Sequence, residues 1–284
     1  MPTLGIDIGG SAVKAACQTS SGCWSTATSS RYSNPSRAQI SQAIKESISG
    51  FEIKGIQYIG MCLPGRMNSA RSGIERSVNI PTLNGWDFSD LIESAIGNNT
   101  VSVRIVSDAD AAGYDYATEF PSPARTAAIS LGTGVGLCIL DGDEILTIGQ
   151  RGIGHLGQMD VGRFGDTDRV DRDGSRNTLE SFIGAPALQP WMSGSTLDLT
   201  SLTHQDSPIR AIVHALRVVH AIYQPSRIAL LGGVGLALKP HKQLLIEMVN
   251  DGLTPLANPD WSLDFASSAH HAARGAAKLA AQSS

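Results

Sequence analysis

Long apolar runs are missing from this sequence. Nothing approaches the roughly 20 consecutive residues that a membrane-spanning helix needs. Positive charge is scarce too. A formal net charge of −4 gives no electrostatic case for nucleic acid, whose partners carry basic patches and a high isoelectric point. Cysteine is sparse, and no two of Cys17, Cys23, Cys62 and Cys138 are spaced as Cys-x-x-Cys. All four fall in or beside predicted strands. Cys17 and Cys23 are positioned to meet across a hairpin, yet no signal peptide accompanies them, so the expectation is four buried, reduced thiols. A core strand begins by Leu4, leaving no room for a targeting segment. The expected location is the cytoplasm.

What remains is an ordinary globular composition, 284 residues with 42% hydrophobic and 17% charged. That length suits one large domain or two modest ones. The most informative stretch is Leu4-Gly5-Ile6-Asp7-Ile8-Gly9-Gly10-Ser11, a short apolar strand running into a Gly-Gly turn and a hydroxyl. Adjacent glycines let the backbone approach a ligand closely, and N–H groups in such a turn can gather around a phosphate oxygen. Asp7 is placed to hold hydrated Mg²⁺ beside that phosphate. Taken alone, the stretch is equally a plain hairpin turn, because residues 13–17 read as a returning strand. A second turn, Leu131-Gly132-Thr133-Gly134-Val135-Gly136, repeats the arrangement about half the chain later. Two related halves follow, each offering a phosphate-gripping hairpin to a shared cleft. A dinucleotide fingerprint fails here, since a strand follows Gly136 where that motif requires a helix.

These residues, with Lys14, Leu63-Pro64-Gly65, Leu83-Asn84-Gly85-Trp86, Ser107-Asp108-Ala109-Asp110, Gly154-His155, Leu179-Glu180 and Leu231-Gly232-Gly233-Val234, fall in the order of one family. The chain resembles the ROK family (repressors, open reading frames and kinases) of the actin, hexokinase and Hsp70 superfamily. The resemblance implies an α/β fold, a two-domain actin-like (ribonuclease H-like) architecture with an interdomain cleft. The domains are placed at 1–120 and 121–267, with a closing helix at 268–284 returning to the first, and Pro121-Ser122-Pro123 marks the break. Alternating strands and helices point to α/β independently. Helices are expected over 36–49, 88–96 (capped by Asp87), 109–120, 178–182, 209–223, 239–250 and 268–281. Strands are expected over 12–18, 23–28, 55–63, 101–106, 126–130, 137–140, 144–148, 228–231 and 262–265. Residues 67–78 read as a hairpin or loop, and 149–176 as a functional loop.

The resemblance also implies the chemistry: an ATP- and Mg²⁺-dependent kinase placing phosphate on a hydroxyl of a hexose or related sugar. Asp108, at the end of a strand and the start of a helix, becomes the base that takes the proton of the attacking hydroxyl. Its plain alternative is a helix N-cap, and Asp110 reads as a first-turn acid. Asp7, Gly9, Gly10, Ser11 and Lys14 belong to the first phosphate site, the alternative for Asp7 being a simple pair with Lys14. Gly132, Thr133 and Gly134 grip the nucleotide's phosphates. Gly232 and Gly233 match the adenosine turn, or mark close packing of a strand on a helix. Sugar contacts fall on Pro64, Gly65, Thr82, Ser107, Asp108, His155 and Glu180. His155 is otherwise a loop histidine bonded to backbone, and Glu180 a solvated helix residue.

Relatives hold a zinc ion with the histidine and three cysteines, but here the loop from Asp171 to Glu180 has no cysteine, so no zinc is expected. Gly152, Ser107 and Thr82 replace a Glu and two Asn residues of the family pattern, which puts the identity of the sugar in question. Two other functions compete. One is a sugar-responsive regulator without turnover, although only Met1-Pro2-Thr3 precede the first turn, too little for a DNA-binding segment. The other is a polyphosphate-using kinase, suggested by Arg151, Arg163, Arg169, Arg172 and Arg176 but offset by Asp160, Asp166, Asp168, Asp171 and Asp173 among them. The expected partners are a sugar and a second copy of the chain, with no nucleic acid and no membrane.

Overall fold

In the computed structural model the described residues are 2–282, apart from 20, 53–54, 71, 98–101, 150–152, 163, 165–167, 172 and 195. Gly152, Arg151, Arg163, Asp166 and Arg172, singled out above, therefore lie outside the described residues, as does Val101 at the start of a predicted strand. In chain order the elements are β1 Thr3–Ile8, β2 Val13–Gln18, β3 Trp24–Thr28, α1 Arg37–Ile48, β4 Tyr58–Leu63, β5 Arg66–Met67, β6 Ile74–Arg76, α2 Phe88–Ile96, β7 Ser102–Ser107 and α3 Asp108–Glu119. Then come β8 Thr126–Leu131, β9 Val135–Asp141, β10 Glu144–Ile145, α4 Leu179–Ile183, β11 Met192–Ser193, β12 Thr196–Leu197 and α5 Ser207–Tyr223. The chain closes with β13 Arg227–Leu231, α6 Gly232–Ala237, α7 Lys242–Asp251, β14 Ser262–Phe265 and α8 His271–Ala281.

Two units result. One comprises Met1–Asp115 with His270–Ser284, the other Tyr116–Ala269. Each is built on a five-stranded sheet of the same design. In the first the order is β3-β2-β1-β4-β7, in the second β10-β9-β8-β13-β14. In both, a hairpin supplies the antiparallel side, and two further strands continue the sheet in parallel.

Local chemistry explains the elements of the first unit. Ser36 opens α1 with a capping box, its hydroxyl accepting from Gln39 N–H while the Gln39 side chain accepts from Ser36 N–H. Asp87 caps α2 by accepting from Ser89 N–H at 3.0 Å. Ile40, Ile44 and Ile48 of α1 are buried against the apolar side chains of β1 and β2. Helix α8 lies on β1 and β4 at a distance only glycine permits. A Cβ on Gly5 or Gly60 would fall 1.7 or 1.9 Å from the carbonyl oxygens of Ala273 or Ala276. Asp115 of α3, wholly buried, ties α8 from the side: His271 Nδ1, Arg274 Nε and Lys278 Nζ approach its carboxylate at 2.6, 3.3 and 2.5 Å.

Three expectations are corrected. Strand β10, at the edge of its sheet, ends at Ile145 rather than Ile148; Leu146 N–H still donates to Ile139 O of β9, but Leu146 and Ile148 are exposed. Residues 232–237 form a short helix that the glycine-rich sequence concealed. Cys23 is exposed, not buried. It lies outside β3, and Cys17 stands opposite Ser25 in the β2–β3 register; all four cysteines are free thiols.

Candidate active site

The carboxyl ends of the parallel strands β1, β4 and β7 gather the first unit's candidate site residues, at the edge where open α/β sheets bind ligands. Register places Asp7 beside Cys62, and Leu63 beside Ser107. Asp7 and its turn, the Leu63-Pro64-Gly65 turn and the Ser107-Asp108 step therefore share one end of one sheet. Asp108 is the first residue of α3, half-buried. One carboxylate oxygen accepts from Ala109 N–H at 2.9 Å. The capping role falls to Ser107, whose hydroxyl accepts from Asp110 N–H at 3.4 Å. Burial above all, then the negative charge of Asp7, pushes the Asp108 carboxyl up to about 6. A carboxylate poised there suits proton abstraction near neutrality.

Asp7 is itself raised by burial, with the Lys14 charge opposing the shift. Lys14 stands opposite Asp7 in the hairpin register, and no ion pair joins the two among the described residues. Between the two carboxylates, Cys62 donates its S–H to Ala272 O at 3.2 Å. Burial drives its thiol well up, and the charges of Asp7 and Asp108 add to the effect. Two acidic groups held above their ordinary range at one strand end suit a divalent cation, whose charge inverts that balance. This is the observation by which Asp7 fits the Mg²⁺ role.

The Gly9-Gly10-Ser11 turn is closed by Gly9 N–H donating to Ala12 O at 3.1 Å. Tyr32 reaches it from a distant segment and donates its phenol to Gly9 O at 2.6 Å. Thr82 lies in a 3₁₀ turn, Pro81–Leu83, and its hydroxyl donates to Pro35 O at 2.7 Å. Nearby, the Oδ1 of Asn79 is buried without a hydrogen-bond partner among the described residues. Such an atom calls for a ligand or a water. Tyr32, Cys62 and Asn79 were not anticipated. Only Asn79 carried a sequence signal, a polar residue between Val78 and Ile80 just ahead of the predicted Thr82.

In the second unit, the 132–134 turn joins β8 to β9, with Gly132 N–H donating to Gly134 O at 3.0 Å. Helix α4 supports it. An oxygen of Glu180 accepts from Val135 N–H at 2.9 Å, and Ala185 N–H donates to Gly132 O at 2.7 Å. Glu180 is thus bound to the strand that leaves the 132–134 turn. Gly232, at φ +79°, brings α6 so near β8 that a Cβ would lie 2.3 Å from Leu131 O. Gly233 has open space around its Cα. His155 is exposed, and its ring makes no hydrogen bond among the described residues.

The loop that carries cysteines in relatives is held by polar contacts. Thr178 donates to Asp171 at 3.0 Å, Asn177 Nδ2 to Asp168 at 3.1 Å, and Arg176 pairs with Asp168 at 3.0 Å. Arg169 lies over the Phe182 ring and donates to Ser207. These side chains do not make the thiolate-rich set of a structural zinc site. Arg169 is thus tied to α4 and α5, and Arg176 to Asp168 of the loop.

Two sheets of the same hairpin-plus-parallel order, each with a glycine turn at a strand end, define an actin-like α/β fold. A model of the ROK family matches residues 3–283, and the chain belongs to that family. Comparison with curated protein sequences gave no match. Among solved structures, a ROK family glucokinase from Streptomyces griseus in complex with glucose and AMPPNP superposes with a TM-score of 0.74. Identity is 19%, covering 99% of this chain and 100% of that one. A ROK hexokinase from Thermus thermophilus gives 0.68 at 20% identity, covering 100% and 99%. A ROK family transcriptional regulator, a homolog of the E. coli MLC protein, gives 0.68 at 17%, covering 98% of this chain and 78% of the regulator.

Proposed function

We propose that the chain is an ATP- and Mg²⁺-dependent carbohydrate kinase that transfers the γ-phosphate to a hydroxyl of a hexose or related sugar. The observation that carries this reading is Asp108, a half-buried carboxyl pushed up to about 6 at the strand end that also bears Asp7 and a glycine turn. Asp108 accepts the proton of the sugar hydroxyl while that oxygen forms its bond to the γ-phosphorus; the bond to the β-phosphate oxygen breaks and ADP departs. Gly9, Gly10, Ser11 and Lys14 orient the transferring phosphate, Thr133 and Gly134 hold the remaining phosphates, and Gly232 with Gly233 lies against the adenosine. Mg²⁺, held through water on Asp7, would neutralise phosphate charge. Pro64, Gly65, Thr82, Ser107, His155 and Glu180 form the sugar side.

A regulatory sugar binder is the second reading. It draws support from the engaged Thr82 hydroxyl and the Glu180 oxygen already spent on Val135, and from Gly152 standing where the family carries Glu. A panel of hexoses and amino sugars incubated with ATP and Mg²⁺, read as ADP release, separates the two. Release above the sugar-free rate with at least one sugar is expected. No release with any sugar, together with measurable sugar binding, would favour the regulator.

A further inference from the structure

The first phosphate turn is not shaped by its own hydrogen bonds alone. In a two-residue hairpin the carbonyl of the first flanking residue ordinarily accepts from the N–H of the second. Here those residues are Gly9 and Ala12, and only the reverse bond, Gly9 N–H to Ala12 O, forms. Gly9 O accepts instead from the Tyr32 phenol at 2.6 Å, and Ser11 O accepts from Tyr32 N–H at 2.9 Å. One residue thus draws two carbonyls of the turn to its own side.

A trans peptide points its C=O and N–H in opposite directions. Fixing Gly9 O on Tyr32 therefore turns Gly10 N–H the other way, and fixing Ser11 O does the same to Ala12 N–H. Neither N–H has a hydrogen-bond partner among the described residues. The turn is left with two outward donors and the Ser11 hydroxyl, which suits a phosphate oxygen.

Tyr32 is itself well anchored. Its ring packs on the first unit's core. Ser29 N–H donates to Val13 O, and Val13 N–H to the Ser29 hydroxyl. Ser30 donates through its N–H and hydroxyl to Glu46 of α1 at 2.9 and 2.7 Å. Burial and the charge of Asp7 raise the phenol, so it stays protonated and keeps donating.

We propose that Tyr32 is a positioning residue that converts the Gly9-Gly10-Ser11 hairpin turn into a phosphate cup. The role rests on the nucleotide reading of that turn given above. The test compares wild type with Tyr32→Phe, which removes one hydroxyl and leaves the packed ring. AMPPNP binding with Mg²⁺ is measured by calorimetry, alongside the thermal midpoint and the KM for ATP and for the best sugar. Losing one neutral hydrogen bond to the turn should weaken AMPPNP binding and raise the ATP KM about 3- to 10-fold. The sugar KM and the midpoint should stay close to wild type. Unchanged AMPPNP affinity would overturn the role. So would a parallel weakening of ATP and sugar with a lowered midpoint, which marks mere structural support. A wild type that binds no AMPPNP removes the functional reading itself, and this role with it.

Discussion

Asp108 has two negative neighbours, Asp7 and Asp110, and only backbone N–H groups to stabilise its charge. A base in that setting is protonated, and idle, below its pKa. With the carboxyl pushed up to about 6, kcat/KM for the sugar should rise about tenfold per pH unit on the acid side and level off above about pH 6. A pH–rate profile of the wild type checks this. A flat profile between about pH 4.5 and 8 would show that no group titrating there takes the proton. The sign is informative: were Asp108 paired with a cation and depressed, the acid limb would lie below the ordinary carboxylate range.

Among the elements, α8 is tied by three of its side chains to one buried carboxylate. Asp115 offers one buried carboxylate to His271, Arg274 and Lys278, and removing it leaves those groups without their shared counter-charge. Arg274 and Lys278 keep partial access to solvent, which softens the cost. Asp115→Ala should lower stability by about 2–4 kcal/mol, read as a shift in the urea midpoint; a loss below about 0.5 kcal/mol would show that the cluster contributes little. Both glycine hairpins, and the strand-to-helix step at Asp108, were legible in the sequence because each is a local pattern of apolar run, glycine and capping residue. Tyr32 was not, since its hydrogen bond to Gly9 spans 23 residues. The Glu180 contact to Val135 spans 45. Helix α6 escaped because its glycines argue against helix, and packing on β8 and β13 offsets that. The exposed Cys23 misled because the predicted strand began one residue before β3 does.

For the whole molecule, the repeated sheet order gives each unit one glycine turn and one set of parallel strand ends. Asp108, the proposed base, belongs to the first unit. A kinase and a sugar-binding regulator can share all of this, and what separates them is whether Asp108 moves a proton. The most direct measurement is ADP release by Asp108→Asn on the best sugar, with Asp110→Asn as control. Asparagine keeps the size and capping ability of aspartate but takes no proton, and a positioned base contributes about 10²–10⁴-fold in rate. Asp108→Asn should lose turnover by that factor while AMPPNP and sugar bind nearly as in wild type, and Asp110→Asn should stay within about twofold, since its charge only adds to the larger effects of burial and Asp7 on Asp108. An Asp108→Asn protein that turns over its sugar at the wild-type rate would contradict the account.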